Sequence, residues 1–295
     1  MSFFSRLWRN RKRGDTAQVE AAPAEVSPAN DPVPYALPKD LREINRLDFQ
    51  HYMLRYVLQG NYLAPLDAQD PFLTMLDVGC GNGRWLYEMA QQFPSATLFG
   101  LDQAPLPATP FTASRYFKFV QHNVLQPLPF PDASFTYVHQ RLLVLAMPVK
   151  FWAPEVAELV RVTRRGGWVE LVESDGYFSN SGPATRKLNE YGYLALKERG
   201  IEVLQVRNLK LLLESHGLQH IQFQPVSVPV GAWGGRLGQM ALSNVQVATE
   251  GLKPLLLKSS GLTPAALDGL LQQVYEEFER NNSSMQFFVV CGQRP

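Results

Sequence analysis

Two carboxylates flank a glycine-dense turn in this chain. Asp77 stands two residues before Gly79 in "LDVGCGNGRW", and Asp102 ends the apolar run "ATLFGLD" nineteen residues after Gly83. Glycines let the backbone adopt left-handed conformations and approach a ligand closely. Three ligand classes use such turns: nucleoside triphosphates, dinucleotides and the nucleoside of S-adenosylmethionine. A triphosphate loop needs G-x-x-x-x-G-K-[ST], and no lysine follows Gly79 at that spacing. A dinucleotide turn is G-x-G-x-x-G, its third glycine allowing close helix–sheet packing. Counted from Gly79, that third position is Arg84, and the glycine falls one place early at Gly83. An acid at the end of the second strand accepts both ribose hydroxyls, a role common to nicotinamide and S-adenosylmethionine sites.

Further downstream, "SFTYVHQRLL" carries His139, Gln140 and Arg141, and "GGWVELVESD" carries Glu173 and Asp175. His139 is a candidate general base, Glu173 a second, and each has a bland alternative as a hydrogen-bonded structural group. Arg141 reads either as a substrate clamp or as a salt-bridged surface group. Glu173 and Asp175 are expected at and just beyond the end of a strand, at the edge where substrates enter, and they either orient a nucleophile or solvate a loop. Tyr191, Tyr193 and Trp233 either wall an acceptor pocket or belong to the core, while Trp85 is expected to pack the first helix beside the turn. The five histidines show no H-E-x-x-H spacing, so no metal site is expected. The two cysteines, Cys80 and Cys291, lie far apart, which argues against a disulfide framework; Cys80 reads as a small filler inside the turn.

These residues need elements to position them. Apolar residues from Asp40 to Tyr62 return at three- and four-residue intervals, which predicts a helix stopped at Gly60-Asn61. Strands are expected at "FLTMLDVG", "ATLFGLD", "YFKFVQHN", "SFTYVHQ" and "GWVELVES", with helices at "RWLYEMAQQF" and "PEVAELVRVT" between them. That alternation argues for a parallel sheet covered on both faces. The fourth strand reads less apolar than a central strand should. Helices follow over 185–199, 208–217, 237–257 and 264–280, with strands at "LQHIQFQPVSVPV" and "SMQFFVVCGQ". Thr263-Pro264 supplies a cap and a first-turn proline for the last helix.

The ends and the composition bound the partners. "MSFFSRLWRNRKRG" is basic and amphipathic, and a segment of that kind makes weak contact with an anionic membrane surface. The Ala-, Pro- and acid-rich stretch after it, to residue 38, cannot bury enough surface to order itself and reads as a linker. No apolar run approaches the roughly 18–20 residues that span a bilayer, and a cytoplasmic location is expected. With 28 Lys+Arg against 27 Asp+Glu the net charge is +1, so nothing in the charge balance predicts nucleic-acid binding. The sequence does not speak to oligomeric state.

Together, "LDVGCGNG", Asp102, "FKFVQHNVLQPLPFPDASFTYVHQ" and "ELVRVTRRGGWVELVES" resemble the class I S-adenosylmethionine-dependent methyltransferases. "INRLDFQHYMLRYVLQGNYLAP", "VHQRLL" and "GGWVELVES" are similar to the LaeA-like subgroup. The resemblance implies an α/β fold with a Rossmann-like doubly wound sheet, seven strands mostly parallel with an antiparallel last strand, and an inserted helical lid. It assigns 39–295 to one methyltransferase domain, its core at about 70–178 and 203–295 and its lid at about 180–200 and 232–281. It implies S-adenosylmethionine as cofactor, held by Asp77, Gly79, Cys80, Gly81, Asp102, Gln103, Asn123, Val124 and Gln140. Asp77 is then near the methionine amino group, Asp102 on the ribose and Gln103 beside the adenine. Asn123 stands where the family often has an acid. His139 and Glu173 are the catalytic candidates, and Arg141, Asp175, Tyr191 and Trp233 the substrate candidates. The expected acceptor is a small molecule offering an O, N or C nucleophile. Two alternatives stay open: an NAD-dependent oxidoreductase, and a non-catalytic regulator built on a methyltransferase fold.

Overall fold

The computed structural model describes residues 37, 41–109, 112 and 115–295. The basic N-terminal segment and most of the linker therefore lie outside the described residues. The first helix, α1 (Leu41–Leu58), is followed by β1 (Thr74–Val78), α2 (Arg84–Gln92), β2 (Thr97–Asp102) and β3 (Lys118–Gln121). Then come β4 (Phe135–Arg141), α3 (Trp152–Val162) and β5 (Thr163–Ser179). The remainder is α4 (Pro183–Lys197), α5 (Leu209–Ser215), β6 (Gln219–Pro229), α6 (Gly235–Ser260), α7 (Pro264–Arg280) and β7 (Ser284–Gln293).

The seven strands form one sheet in the order β3-β2-β1-β4-β5-β7-β6. Strands β1 to β5 pair in parallel, and β7 inserts antiparallel between β5 and β6. This is the doubly wound sheet with an antiparallel last strand. The order reverses between β1 and β4, and in such sheets ligands bind beyond the carboxyl ends of the strands at that switch point.

Two expectations about strands are corrected. β4 is a fully central strand, its residues from Phe135 to Gln140 all buried, despite its polar content. Partners explain part of this tolerance: the Thr136 N–H donates to Thr74 Oγ1 at 3.1 Å, and His139 meets Asp77. β5 does not stop at Ser174. It runs on to Ser179 because β7 keeps pairing with it, Phe178 opposite Met285 and Ser179 opposite Ser284 beyond a bulge. Glu173 and Asp175 therefore lie inside a buried strand, not on a solvated edge after it.

Side chains alternate across a strand, so the register fixes which residues share a face. Asp77 is level with His139, and His139 with Glu170; Arg141 is level with Val172. On this face an apolar cluster joins Met53 and Leu54 of α1, Leu188 of α4, Val245 of α6 and Phe278 of α7 to Val172, Phe287 and Val289. A second cluster gathers Trp85, Leu86 and Met89 of α2 with Met75, Leu98 and Tyr137. Each such side chain taken fully from water contributes about 1.5–3 kcal/mol. The helical layer thus covers the sheet face that carries Asp77, His139 and Arg141. Among the described residues, no helix is long and apolar enough to cross a membrane.

Candidate functional site

The glycine turn joins β1 to α2, and its three glycines all have positive φ: 71° at Gly79, 55° at Gly81 and 77° at Gly83. Side chains are strained there, which is why the sequence repeats glycine. The turn's donors are largely committed to the protein. Gly79 and Cys80 N–H donate to the Leu101 carbonyl at 2.7 and 3.0 Å, and Gly83 N–H donates to the Cys80 carbonyl at 2.9 Å. Gly81 N–H donates to Asp102 Oδ2 at 2.9 Å. Pyrophosphate cradles rely on backbone N–H groups pointing at the anion; at these four positions the groups point at protein oxygens. The turn therefore suits a ligand without phosphate.

Close packing of α2 on the sheet comes from elsewhere. A Cβ on Gly100 of β2 would lie 2.5 Å from Leu86 Cδ1, so Gly100 supplies the approach that a third motif glycine gives in dinucleotide folds. Residue 84 is thereby released for another task. Arg84 forms a two-pronged pair with Asp48 of α1, Nε to Oδ1 at 3.1 Å and Nη2 to Oδ2 at 2.9 Å. Asn82 Nδ2 donates to the same Asp48 at 2.8 Å.

Asp102 also accepts from Ala104 N–H at 2.8 Å through Oδ1, so its carboxylate is braced at the edge of the sheet. A carboxylate offers about four acceptor positions, and this bracing is compatible with a place at a ribose. Gln103 follows directly, its carbonyl accepting from Gln121 Nε2 at 3.0 Å. Asn123 lies in the loop after β3, where its Oδ1 accepts from Leu125 N–H at 3.0 Å, and Val124 is half-buried beside it. Gln140 is wholly buried at the carboxyl end of β4, level with Val78. Among the described residues neither its Nε2 nor its Oε1 has a hydrogen-bond partner. Buried amides are rarely left so, and this one points to a ligand at the switch point. Cys80 is buried and its thiol is pushed well above the usual range by burial, which leaves it an inert filler.

His139 Nδ1–H donates to Asp77 Oδ1 at 2.8 Å. Its ring stacks on Trp85 with centroids 4.1 Å apart and planes 3° from parallel, and only 1% of the residue is exposed. Arg141, where β4 emerges, places Nη2 3.1 Å from Nδ1 of His51 on α1. His51 Nε2 in turn lies 3.1 Å from Glu88 Oε2. Glu88 also accepts from Arg55 and Asn61. Burial opposes its charge, but these contacts prevail and hold it at about 2. Burial lowers His51 below its ordinary value.

The remaining candidates are tied into the scaffold. Glu173 is fully buried and accepts from Leu143 N–H at 2.8 Å and Val144 N–H at 3.1 Å. Burial raises it to about 8 against the pull of those two donors. Leu143 in turn covers the turn, its Cδ2 2.5 Å from where a Gly79 Cβ would be. Asp175 is buried and paired with Arg207 at 2.6 Å. Tyr191 lines a groove of about 260 Å³ between α4 and α7 with Lys187, Leu262, Ala266 and Leu270. Tyr193 has Lys197 Nζ 5.5 Å above its ring. Trp233 is 42% exposed, its indole N–H donating to the Val230 carbonyl at 3.0 Å.

Sequence reasoning missed Asp48, His51, Glu88 and Glu170. Glu170 is fully buried and accepts from Leu63 and Ala64 N–H, fixing the segment before β1. Its signal was an acid within an otherwise apolar strand. For Asp48, His51 and Arg55 the signal was their common helix face at spacings of three and four.

Residues 49–222 match the family model described as a methyltransferase domain. The chain is 34% identical over 203 residues to methyltransferase str3 of Strobilurus tenacellus, covering 67% of this chain and 71% of that one. It is 29% identical over 279 residues to N-methyltransferase gliN of Aspergillus fumigatus, covering 88% and 96%. With N-methyltransferase sirN of Leptosphaeria maculans the identity is 28% over 270 residues, covering 88% and 95%.

Proposed function

The chain belongs to the methyltransferase-domain family and is an S-adenosylmethionine-dependent enzyme, and from that premise we propose that it methylates a nitrogen or oxygen of a small-molecule acceptor. The observation that carries the reading is the turn itself, whose N–H groups at Gly79, Cys80, Gly81 and Gly83 are spent on protein oxygens beside a braced Asp102. The printed names of two similar proteins, both N-methyltransferases, favour nitrogen. The net charge of +1 favours a small acceptor over a polynucleotide.

When bound, S-adenosylmethionine supplies a methyl group made electrophilic by the sulfonium. The work left to the chain is positioning and exclusion of water, which in favourable intramolecular cases is worth about 7–11 kcal/mol. In this reading Asp102 and Gln103 hold the nucleoside, and Gln140 offers its amide to the ligand across the ends of β1 and β4. Asp77 and His139, locked by Trp85, fix the floor of the methionine end. Glu173 holds Leu143 and Val144, and through Leu143 it shapes the wall above Gly79. His139 and Glu173 act as positioning residues, since both are sealed from solvent. The helices α4, α6 and α7 frame the acceptor side, with Tyr191 at their groove.

Two measurements test this. Calorimetry with S-adenosylhomocysteine and with NADH should show binding of the first alone, reduced about tenfold or more by Asp102→Ala; tight NADH binding would sink the reading. Transfer of a labelled methyl group should reach amines, amides or phenols in a small-molecule panel. Labelling confined to RNA or protein, or absent from every acceptor, would overturn the acceptor class or the enzymatic role.

A further inference from the structure

Glu173 is a fully buried acid that has hydrogen-bond donors but no counter-charge. Leu143 N–H donates to its Oε1 and Val144 N–H to its Oε2. One donor on each oxygen suits an ionised carboxylate, which only accepts; a neutral acid would carry a hydroxyl that must donate. Among the described residues no basic group lies within 4.0 Å of it, whereas the buried acids Asp77, Asp175 and Glu277 have His139, Arg207 and Arg280. Burial and the two N–H donors set its proton affinity, raising it to about 8, and no side-chain charge acts on it.

The charged groups on the surrounding elements are placed or paired elsewhere. Phe288 of β7 is level with Glu173. His139 and Arg141 of β4 and Glu170 of β5 belong to the other face of the sheet, where α4 packs through Leu188. Asp175 and Arg207, from β5 and the turn Val203–Asn208, hold each other. On α3, Glu158 pairs with Arg161, and burial raises Glu155 well above its ordinary value. A pocket shaped for a carboxylate, yet lacking a cation, is a site whose balancing charge arrives with a ligand.

The position of Glu173 identifies that charge. It shares its sheet face with Gln140, whose buried amide is itself unpartnered among the described residues. Leu143, held by Glu173, covers Gly79. Glu173 thus backs the carboxyl ends of β1 and β4 from the face opposite Asp77 and His139. A sulfonium has no N–H or O–H to donate, so its recognition falls to charge and dipoles. Methyl transfer returns the S–C electron pair to sulfur and leaves a neutral thioether.

We propose that Glu173, without touching the cofactor, is the counter-charge for its sulfonium, so that the site holds S-adenosylmethionine more tightly than S-adenosylhomocysteine. The inference rests on the methyltransferase reading. Arrival of the cation sends the carboxyl proton to solvent; loss of the charge on transfer lets a proton return and loosens the product.

Calorimetry on the full chain compares these two ligands, which differ by one methyl group and its charge, in the wild type and in Glu173→Gln. Below the folded value of about 8 the cation must expel a proton, so its affinity rises with pH and then levels off. The wild-type preference for S-adenosylmethionine should therefore widen about tenfold between pH 6.5 and pH 8.5 and stay flat in Glu173→Gln. At pH 8.5 the variant should bind S-adenosylmethionine about tenfold more weakly and S-adenosylhomocysteine unchanged. Titrations at pH 7.5 in two buffers of different ionisation enthalpy should show that the wild type releases more protons to S-adenosylmethionine than the variant does. The ligand's amino group, Asp77 and His139 are common to both proteins and cancel in that difference. Equal losses of the two ligands in Glu173→Gln would mark a merely structural role and overturn the proposal. So would a wild-type preference that does not change with pH, which decides the matter alone if the variant fails to fold. Failure of the wild type to bind either ligand would instead remove the methyltransferase premise, a distinct result.

Discussion

Glu173 shows how far a residue's role depends on its surroundings. Read in sequence it is an acid near a strand end, and so a candidate base. In the fold it is a wholly buried carboxyl that receives two backbone N–H groups from the segment lying over Gly79. Burial raises it to about 8, above the roughly 4.3 of an unfolded glutamate. The folded chain therefore holds this proton more tightly than the unfolded chain between about pH 4 and pH 8. The stability this contributes is complete below that window and is lost as the pH rises through 8. Glu173→Gln cannot titrate, so its denaturation midpoint should fall less than the wild type's between pH 5 and pH 8.5. The variant should also carry a constant cost of about 1 kcal/mol, because the amide nitrogen cannot accept from Val144 N–H. Parallel pH profiles for the two proteins would refute the assignment.

At the scale of elements, the helix α1 adds a second tie on the glycine turn to the one made by β2. Asp48 grips Arg84 and Asn82, Arg55 and His51 meet Glu88, and Arg46 Nη1 reaches Asn244 Oδ1 of α6 at 3.1 Å. Asp48→Ala should loosen the turn without removing a ligand contact. Charge-assisted hydrogen bonds of this type are worth about 1.5–3 kcal/mol, and partial exposure of both partners favours the lower end. Hydrogen exchange at Gly81 to Arg84 should quicken in the variant, and unaltered protection there would show the strap to be ornamental. This tie also marks what the sequence could and could not tell. The strands, the turn and Asp102 were legible because apolar period and glycine spacing are local signals. The helix α1 was legible as a helix, but the partners of its polar face stand 33 to 198 residues away and leave no local signal. The same limit hid Gly100, whose lack of a side chain matters only once Leu86 is packed on it. It likewise put Glu173 and Asp175 on an edge, because the length of β5 is set by its pairing with β7 and not by its own composition.

At the scale of the whole molecule, the helical layer is joined to itself by carboxylates from the end of α7. Glu277 accepts from Ala184 N–H at 3.0 Å, Thr185 N–H at 2.8 Å and Thr185 Oγ1 at 2.7 Å, and so caps the start of α4. Glu279 accepts from the Ala232 and Trp233 N–H groups just before α6. Two turns' worth of orphan donors on separate elements are thus satisfied from one helix end. Gly182 is glycine for this reason, since a Cβ there would meet the Glu277 carboxylate. Burial alone would raise Glu277, yet its three donors outweigh burial and the carboxylate is held below its ordinary value. A group lowered in this way contributes stability that is present above the unfolded value of about 4.3 and is lost as the pH falls through the folded one. Glu277→Ala should therefore cost about 1–3 kcal/mol at pH 7, where the ionised carboxylate is replaced by unsatisfied donors, and the gap to wild type should narrow as the pH falls below 4. On the proposed reading that the groove lined by α4 and α7 beside Tyr191 is the acceptor side, the same variant should raise KM for the acceptor more than it weakens S-adenosylhomocysteine. Urea midpoints at pH 7 and pH 3.5, with calorimetry at pH 7, read both effects. A gap that stays constant with pH would refute the lowered Glu277 carboxylate, and equal losses of both ligands would mean that α7 braces no separate acceptor side.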